Sequence, residues 1–338
     1  MKKFKFLKII GIILATIILF FTAINVIPPK KVVKDNPFIV AKGEKPLVGA
    51  HRGGIASRPE NTMLAFKTSV NEWDVDIIES DLHLTADGHL VFNHNSYVDE
   101  TCNINGDFPL EAVKELCNDE KYRHKIENMN LKDLKQYNFG YYFESSDGNR
   151  PYKNVTDIAA EGLQITTLEE LFEEFYKQKP DLLFILEIKS KGEAGVKSCE
   201  VLNDILNKYP DYRDNVVIGS YDSAVEREIQ KNYPDILTGA STDSAKSFII
   251  TQFLGVNLFN KSDFACLQIP WSYSLKGKYI SLDRSTIIKR AHRKNIAVQY
   301  WTINDVEQMR RLIDLGCDCI ITDDPELLNT VLEVYDKF

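Results

Sequence analysis

From Leu47 onward, short β-branched apolar runs alternate with amphipathic helical segments, and this rhythm restricts the fold more than any other feature. Such alternation belongs to strands that lie parallel, each joined to the next by a helix crossing one face of the sheet. The runs are Leu47–His51, Val75–Leu84, Leu182–Ile188, Val216–Ser220, Ile236–Ala240, Phe264–Ile269, Ile296–Thr302 and Cys319–Thr322. Eight of them match the strand count of a (β/α)8 TIM-type barrel. Helices are predicted at Glu60–Asn71, Thr167–Lys177, Ala194–Lys208, Ser223–Lys231, Asp283–Arg293, Asp305–Leu315 and Pro325–Tyr335. Thr167 with Glu170 marks one helix start, because each side chain can satisfy the other residue's backbone N–H.

One stretch breaks the rhythm. Residues 95–164 are polar, with only short helical patterns near 109–118 and 130–136. A structureless loop of that length is out of place in a compact domain. The expectation is a small inserted subdomain after the second strand, at the face where barrel loops shape substrate access.

Ahead of the barrel segment 47–338, residues 9–27 carry no charge and are almost wholly apolar. At about 1.5 Å rise per residue, a helix there nearly matches a hydrocarbon core of about 30 Å. Lys2, Lys3, Lys5 and Lys8 precede it, so residues 1–8 should stay cytoplasmic and the rest should be exported. Lys30, Lys31 and Lys34 follow and weaken that asymmetry. A cleaved signal peptide, which would make the domain secreted, is the competing reading. Phe21-Thr22-Ala23 disfavours it by placing a bulky side chain where cleavage wants a small one. Residues 28–46, with four prolines, are expected to form an extended linker.

Charge is unevenly shared. The net charge is −8, but residues 1–45 hold nine Lys and two acids, leaving 32 basic and 47 acidic residues in the exported part. So acidic a body lacks the basic footprint of a nucleic-acid binder. Any phosphate it handles must be held locally, by an Arg, a Lys or a cation. Six cysteines in an exported domain could pair, with Cys102 and Cys117 the first candidates, although spacing alone does not decide it. Cys317 and Cys319 sit two apart in an apolar pattern, face the same way, and read as core filling.

The chemistry-bearing residues collect at strand ends. The first run ends in His51-Arg52-Gly53-Gly54, followed by Pro59-Glu60-Asn61-Thr62. The second carries Glu79-Ser80-Asp81, then leads through a turn to His94; the third ends in Glu187-Ile188-Lys189. Trp301-Thr302-Ile303-Asn304 and Thr322-Asp323-Asp324-Pro325 close the last two. In a parallel barrel these ends converge on one mouth. Glu79, Asp81 and Glu187 then offer carboxylates to a hard cation such as Ca²⁺ or Mg²⁺. His51 and His94 suit acid–base work near neutrality, and Arg52 and Lys189 supply positive charge for a phosphate. Singly, each piece has an ordinary structural explanation: an edge-strand face, a surface ion pair, a helix cap at Thr322-Asp323. His83, His89, His124 and His292 match no motif and read as ordinary polar loop positions.

In order, these motifs resemble the glycerophosphodiester phosphodiesterase family, as do Thr85-x-Asp87-Gly88, Thr167-Leu168-x-Glu170 and Ser220-Tyr221. The match runs from about 47 to 335. The resemblance implies a TIM-type barrel and metal-dependent hydrolysis of glycerophosphodiesters to sn-glycerol 3-phosphate and an alcohol. It implies metal binding at Glu79, Asp81 and Glu187, acid and base at His51 and His94, phosphate binding at Arg52 and Lys189, and Trp301 near the glycerol. Two positions depart from the family pattern: Asn95 stands where an Asp usually follows the His, and Glu100 where an Arg is usual. They suggest an altered substrate pocket. Two alternatives remain at this stage. One is a phospholipase of C or D type acting on (lyso)phospholipids or polyglycerol-phosphate polymers. The other is a barrel that binds phosphodiester headgroups without turning them over.

Overall fold

The computed structural model describes residues 2–275 and 277–335; residues 336–338, the end of the expected barrel segment, lie outside the described residues. Helix α1 (Lys2–Val26) comes first and starts before the expected span at residue 9. Its segment Phe4–Val26 is long and apolar enough to cross a membrane, with a mean hydropathy of 2.6.

The barrel follows as strand–helix units: β1 (Leu47–His51) and α2 (Met63–Asn71), then β2 (Ile77–Leu84) with the short antiparallel β3 (Leu90–Phe92). The insertion holds α3 (Leu110–Leu116) and α4 (Leu131–Leu134), and α5 (Leu168–Phe175) completes the second unit. Then come β4 (Leu183–Ile188) and α6 (Gly192–Lys208), β5 (Val216–Gly219) and α7 (Ser223–Asn232), β6 (Leu237–Thr238) and α8 (Thr242–Phe253). The sixth unit is β7 (Cys266–Ile269), a hairpin of β8 (Ser272–Leu275) and β9 (Lys278–Ser281), and α9 (Ser285–Arg293). Two units end the chain: β10 (Ala297–Tyr300) with α10 (Val306–Leu315), and β11 (Cys319–Thr322) with α11 (Pro325–Tyr335).

In space the strand order is β6-β5-β4-β2-β1-β11-β10-β7, every neighbouring pair parallel. The ring closes between β6 and β7 through one parallel bridge, Gly239 to Cys266, and the bond from Ala240 N to Cys266 O (2.8 Å). The expected fifth strand, Ile236–Ala240, shrinks to two residues because that seam holds a bridge and not a full ladder. The capping box at Thr167 and Glu170 forms as the spacing predicts.

Helix α8 and the β8–β9 hairpin escaped the periodicity. Along α8 Phe248 and Gln252 are buried, Ile249, Ile250 and Phe253 line a cavity, and Leu254, just past the helix end, faces outward. With the apolar side chains divided between the core and the cavity and interrupted by polar ones, no single stripe reveals the helix.

The barrel is filled by strand residues and stopped at one end by the chain's own lead-in. Phe38 is fully buried among Ile77, Leu183, Val217, Cys266, Ala297 and Cys319. Those residues are the first of their strands, or in Val217's case the second, so Phe38 plugs the N-terminal end. Residues 28–46 carry no helix or strand, yet they do not hang as a free tether. Asn36 Nδ2 donates to Ala265 O (2.8 Å) and Asn295 O (3.0 Å), and Val40 N donates to Asp318 Oδ1 (3.1 Å).

The insertion has a core of its own, built from Val91, Val98, Cys102, Ile126, Leu134, Phe139 and Ile165. All six cysteines are buried and free. Cys102 and Cys117 lie in separate small clusters and form no disulfide. Cys317 and Cys319 also part company, Cys317 in the layer beneath the helices and Cys319 inside the barrel. Alternation cannot relate them, since Cys317 precedes β11.

Candidate active site

The sheet register assembles the site. His51 of β1 stands opposite Glu79 of β2, and Asp81 of β2 opposite Glu187 of β4. Glu79 and Asp81 are two apart on one strand and so share a face. Three adjacent strands therefore bring one imidazole and three carboxylates to the C-terminal end of the barrel. A cavity of about 860 Å³ opens there, lined by His51, Arg52, Glu79, Asp81, His94, Glu187, Lys189 and Trp301 among others. Every residue singled out from the sequence reaches the same space.

The turn after β1 sets the first of these. Gly53 and Gly54 have φ of 83° and 86°, and a Cβ on Gly54 would lie 2.7 Å from Trp73 Cζ3. Only glycine meets both demands. Gly54→Ala is therefore expected to lower stability by about 1–3 kcal/mol, read as a lower Tm; an unchanged Tm would contradict it. The next motif braces Arg52: Glu60 Oε2 accepts from Arg52 Nη1 at 3.0 Å, Asn61 Oδ1 accepts from the Ser80 hydroxyl, and Thr62 caps α2.

A second chain of contacts holds His51. Its Nδ1 lies 2.5 Å from Asp323 Oδ1; Asn304 Nδ2 donates to Asp323 Oδ2 (2.6 Å), and Thr322 Oγ1 donates to Asn304 Oδ1 (3.0 Å). The sequence motifs included Asp323 and Asn304 but gave neither a place at the site. A helix cap was the ordinary alternative for Asp323, but Asp324 does the capping, accepting from Leu327 N at 2.9 Å.

Charge is the dominant feature of the mouth. Lys189 Nζ bridges Asp81 Oδ1 (3.1 Å) and Glu187 Oε2 (3.0 Å), and Arg52 Nε lies 3.6 Å from Asp81 Oδ2. Burial, with the neighbouring Asp81 charge, pushes the Glu79 carboxyl up to about 7. Burial also raises Glu187. For His51 burial pulls downward, but the hydrogen bond to Asp323 and the Glu79 charge outweigh it, and its pKa rises. His94 moves the other way, lowered by burial and by Arg52 and Lys189 against the pull of Asp81.

Among the described residues no three His, Cys, Asp or Glu side chains are already gathered tightly enough to enclose an ion. The donor set nevertheless fits a hard cation. Asp81 Oδ2 and Glu187 Oε1 are buried without a hydrogen-bond partner, and an ammonium already sits between these two carboxylates. Five carboxylates at or beside the mouth (Glu60, Glu79, Asp81, Glu187 and Asp323) face Arg52 and Lys189, with Lys246 a third cation on the cavity wall. Such an excess would repel a phosphate unless more positive charge joined it.

The two departures from the family pattern lie off the cavity wall. The Glu100 carboxylate accepts from Tyr97 Oη at 2.7 Å, and Asn95 O accepts from Asn93 Nδ2 at 2.7 Å. Neither side chain lines the mouth. Of the histidines read as plain loop positions, His83 is instead buried within β2, where burial brings its pKa down to about 4. His124 and His292 pair with the buried Asp99 and Asp318.

The sequence model described as the glycerophosphoryl diester phosphodiesterase family matches residues 51–327. The chain belongs to that family. A glycerophosphodiester phosphodiesterase from Caldanaerobacter subterraneus is 29% identical over 294 residues, covering 84% of this chain and 96% of that one. Among solved structures, a glycerophosphoryl diester phosphodiesterase domain from Mycobacterium tuberculosis superposes with a TM-score of 0.66 at 16% identity, covering 86% of this chain and 99% of that one. An Oleispira antarctica phosphodiesterase in complex with the product sn-glycerol-3-phosphate gives 0.60 at 20% identity, covering 86% and 97%. The expected TIM barrel is thus the family fold. The chain is a phosphoric diester hydrolase of glycerophosphodiesters. Enzymes of the family generally use a divalent cation, and one N-terminal helix of this member could serve as a signal or a membrane span.

Proposed function

We propose that this phosphodiesterase holds a divalent cation, Ca²⁺ or Mg²⁺, at Glu79, Asp81 and Glu187, and hydrolyses glycerophosphodiesters to sn-glycerol 3-phosphate and an alcohol. The observation that carries the proposal is the register of β1, β2 and β4, which sets buried carboxylate oxygens without a hydrogen-bond partner beside two imidazoles and the cationic Arg52 and Lys189 in one cavity. The Oleispira enzyme's complex with sn-glycerol-3-phosphate supports the same product here.

The cation supplies Lewis-acid polarisation of the phosphoryl oxygens and the positive charge the mouth lacks. Everything else falls to side chains. Arg52, braced by Glu60, and Lys189 bind the phosphate oxygens. Trp301, 40% exposed at the cavity wall, offers a flat apolar surface to the glycerol carbons. His51 and His94 move the two protons: one leaves the attacking oxygen as its bond to phosphorus forms, and one reaches the alcohol oxygen as the old P–O bond breaks. Asp323 fixes the ring of His51 and leaves Nε2 turned toward the mouth, 3.9 Å from Glu79 Oε2.

The chain is further proposed to be anchored by α1 as a single-pass span, with its barrel outside the cytoplasm and no nucleic-acid partner. The test is hydrolysis of glycerophosphocholine by the full chain. A chelator is expected to remove the activity and added Ca²⁺ or Mg²⁺ to restore it. Full activity in the chelator, or in Glu187→Ala, would rule out the assigned cation site.

A further inference from the structure

Most of α1 is exposed, but its C-terminal end is docked on the barrel. Ile24 is only 5% exposed, Asn25 Nδ2 donates to Gly255 O (3.3 Å), and Arg293 Nη2 donates to Ile27 O (2.6 Å). The Phe20 ring stacks on Phe259, centroids 6.5 Å apart and planes 15° from parallel. Phe20 lies seven residues inside the end of the apolar run, about 10 Å along the helix. Whatever depth Phe20 takes in a bilayer, Phe259 must share it, unless α1 leaves its seat.

The barrel surface around this seat suits such a position. Ile250, Leu254 and Phe259 are 57%, 63% and 62% exposed, an apolar edge continuous with α1. A monomer in water does not gain from presenting large apolar side chains side by side. Basic residues flank the seat: Lys30 and Lys31 follow α1, and Arg290 and Arg293 occupy the last turn of α9. These four side chains gather positive charge there on an otherwise acidic body. Apolar side chains ringed by Lys and Arg match the acyl–headgroup boundary of an anionic leaflet. The same helix, through Ile249, Phe253 and Ile250 itself, lines the catalytic cavity.

We propose that the edge formed by the end of α8 and the turn through Phe259 is a membrane-contact surface, which seats the barrel on the bilayer that α1 enters and turns one wall of the catalytic cavity toward lipid. It presupposes that α1 is retained as a span. The partner is the lipid surface itself, and the consequence is a preference for diesters presented at that surface over diesters free in water.

The full chain is reconstituted into phosphatidylcholine–phosphatidylglycerol vesicles with an environment-sensitive label at Leu254→Cys. Because the six native thiols are buried, the label goes to the new one. A second sample carries it at Glu173→Cys, an exposed position on α5. Lipids brominated on the acyl chain are expected to quench the Leu254 label at least threefold more than the Glu173 label. Protein that floats with the vesicles but shows equal quenching overturns the contact surface. Protein that does not float overturns the anchor instead. Independently, Leu254→Ser with Phe259→Ser is expected to leave glycerophosphocholine hydrolysis unchanged while lowering hydrolysis of vesicle-borne lysophosphatidylcholine at least threefold. Equal rates on the vesicle substrate would also refute the contact surface.

Discussion

His51→Ala is expected to lower kcat on glycerophosphocholine by about 10²- to 10⁴-fold, the usual worth of a positioned acid–base group, with KM changed little. The imidazole is held on one side by Asp323 at 2.5 Å and looks into the cavity with its other nitrogen. Removing it deletes proton transfer but leaves Arg52 and Lys189 to bind the diester and the proposed cation's carboxylates in place. Asp323→Asn tests the same chain of contacts more gently. It keeps a hydrogen-bonding side chain beside Nδ1 but removes the negative charge that favours the charged ring, so a smaller loss confined to kcat is expected. Steady-state kinetics with Tm as a folding control decide the matter. A His51→Ala enzyme within tenfold of the parent would remove His51 from the chemistry.

Phe38→Ala is expected to cost about 3–5 kcal/mol, the range for emptying a fully buried Phe site. At roughly 2–4 °C per kcal/mol for a domain of this size, Tm should fall by about 10 °C. The side chain lies outside the first strand in sequence, yet it closes the N-terminal end of the barrel against residues at the start of six strands. The exposed Phe259→Ala serves as the comparison, with an expected change within about 0.5 kcal/mol. A Tm shift for Phe38→Ala no larger than that of Phe259→Ala would show that residues 28–46 are a loose tether after all. The same packing implies that a truncation beginning beyond Phe38 would damage the barrel as well as release it from α1.

Much of this molecule is legible because its signals are local. The β1 and β11 runs match their strands residue for residue, and α11 matches its helix. The motif residues sit at strand ends, so a parallel barrel was enough to bring them together. What stayed hidden depends on partners far away in the chain. Helix α8 divides its apolar residues, because the core claims Phe248 and the cavity claims Ile249, Ile250 and Phe253. Asp323 looked like a cap until Asp324 was found in that role, and its true partner, His51, lies 272 positions earlier.

By itself, then, the sequence determined the alternation of strands and helices, the apolar N-terminal helix, and the family-specific residues of the mouth, because periodicity and motif spacing are written within a few turns of chain. Only the tertiary structure decided that Lys189 bridges two carboxylates, that Phe38 stops the barrel, that all six cysteines are free and that α1 is seated beside an apolar edge. Each of these is a contact between segments that no local pattern relates, set by sheet register and by closure of the ring.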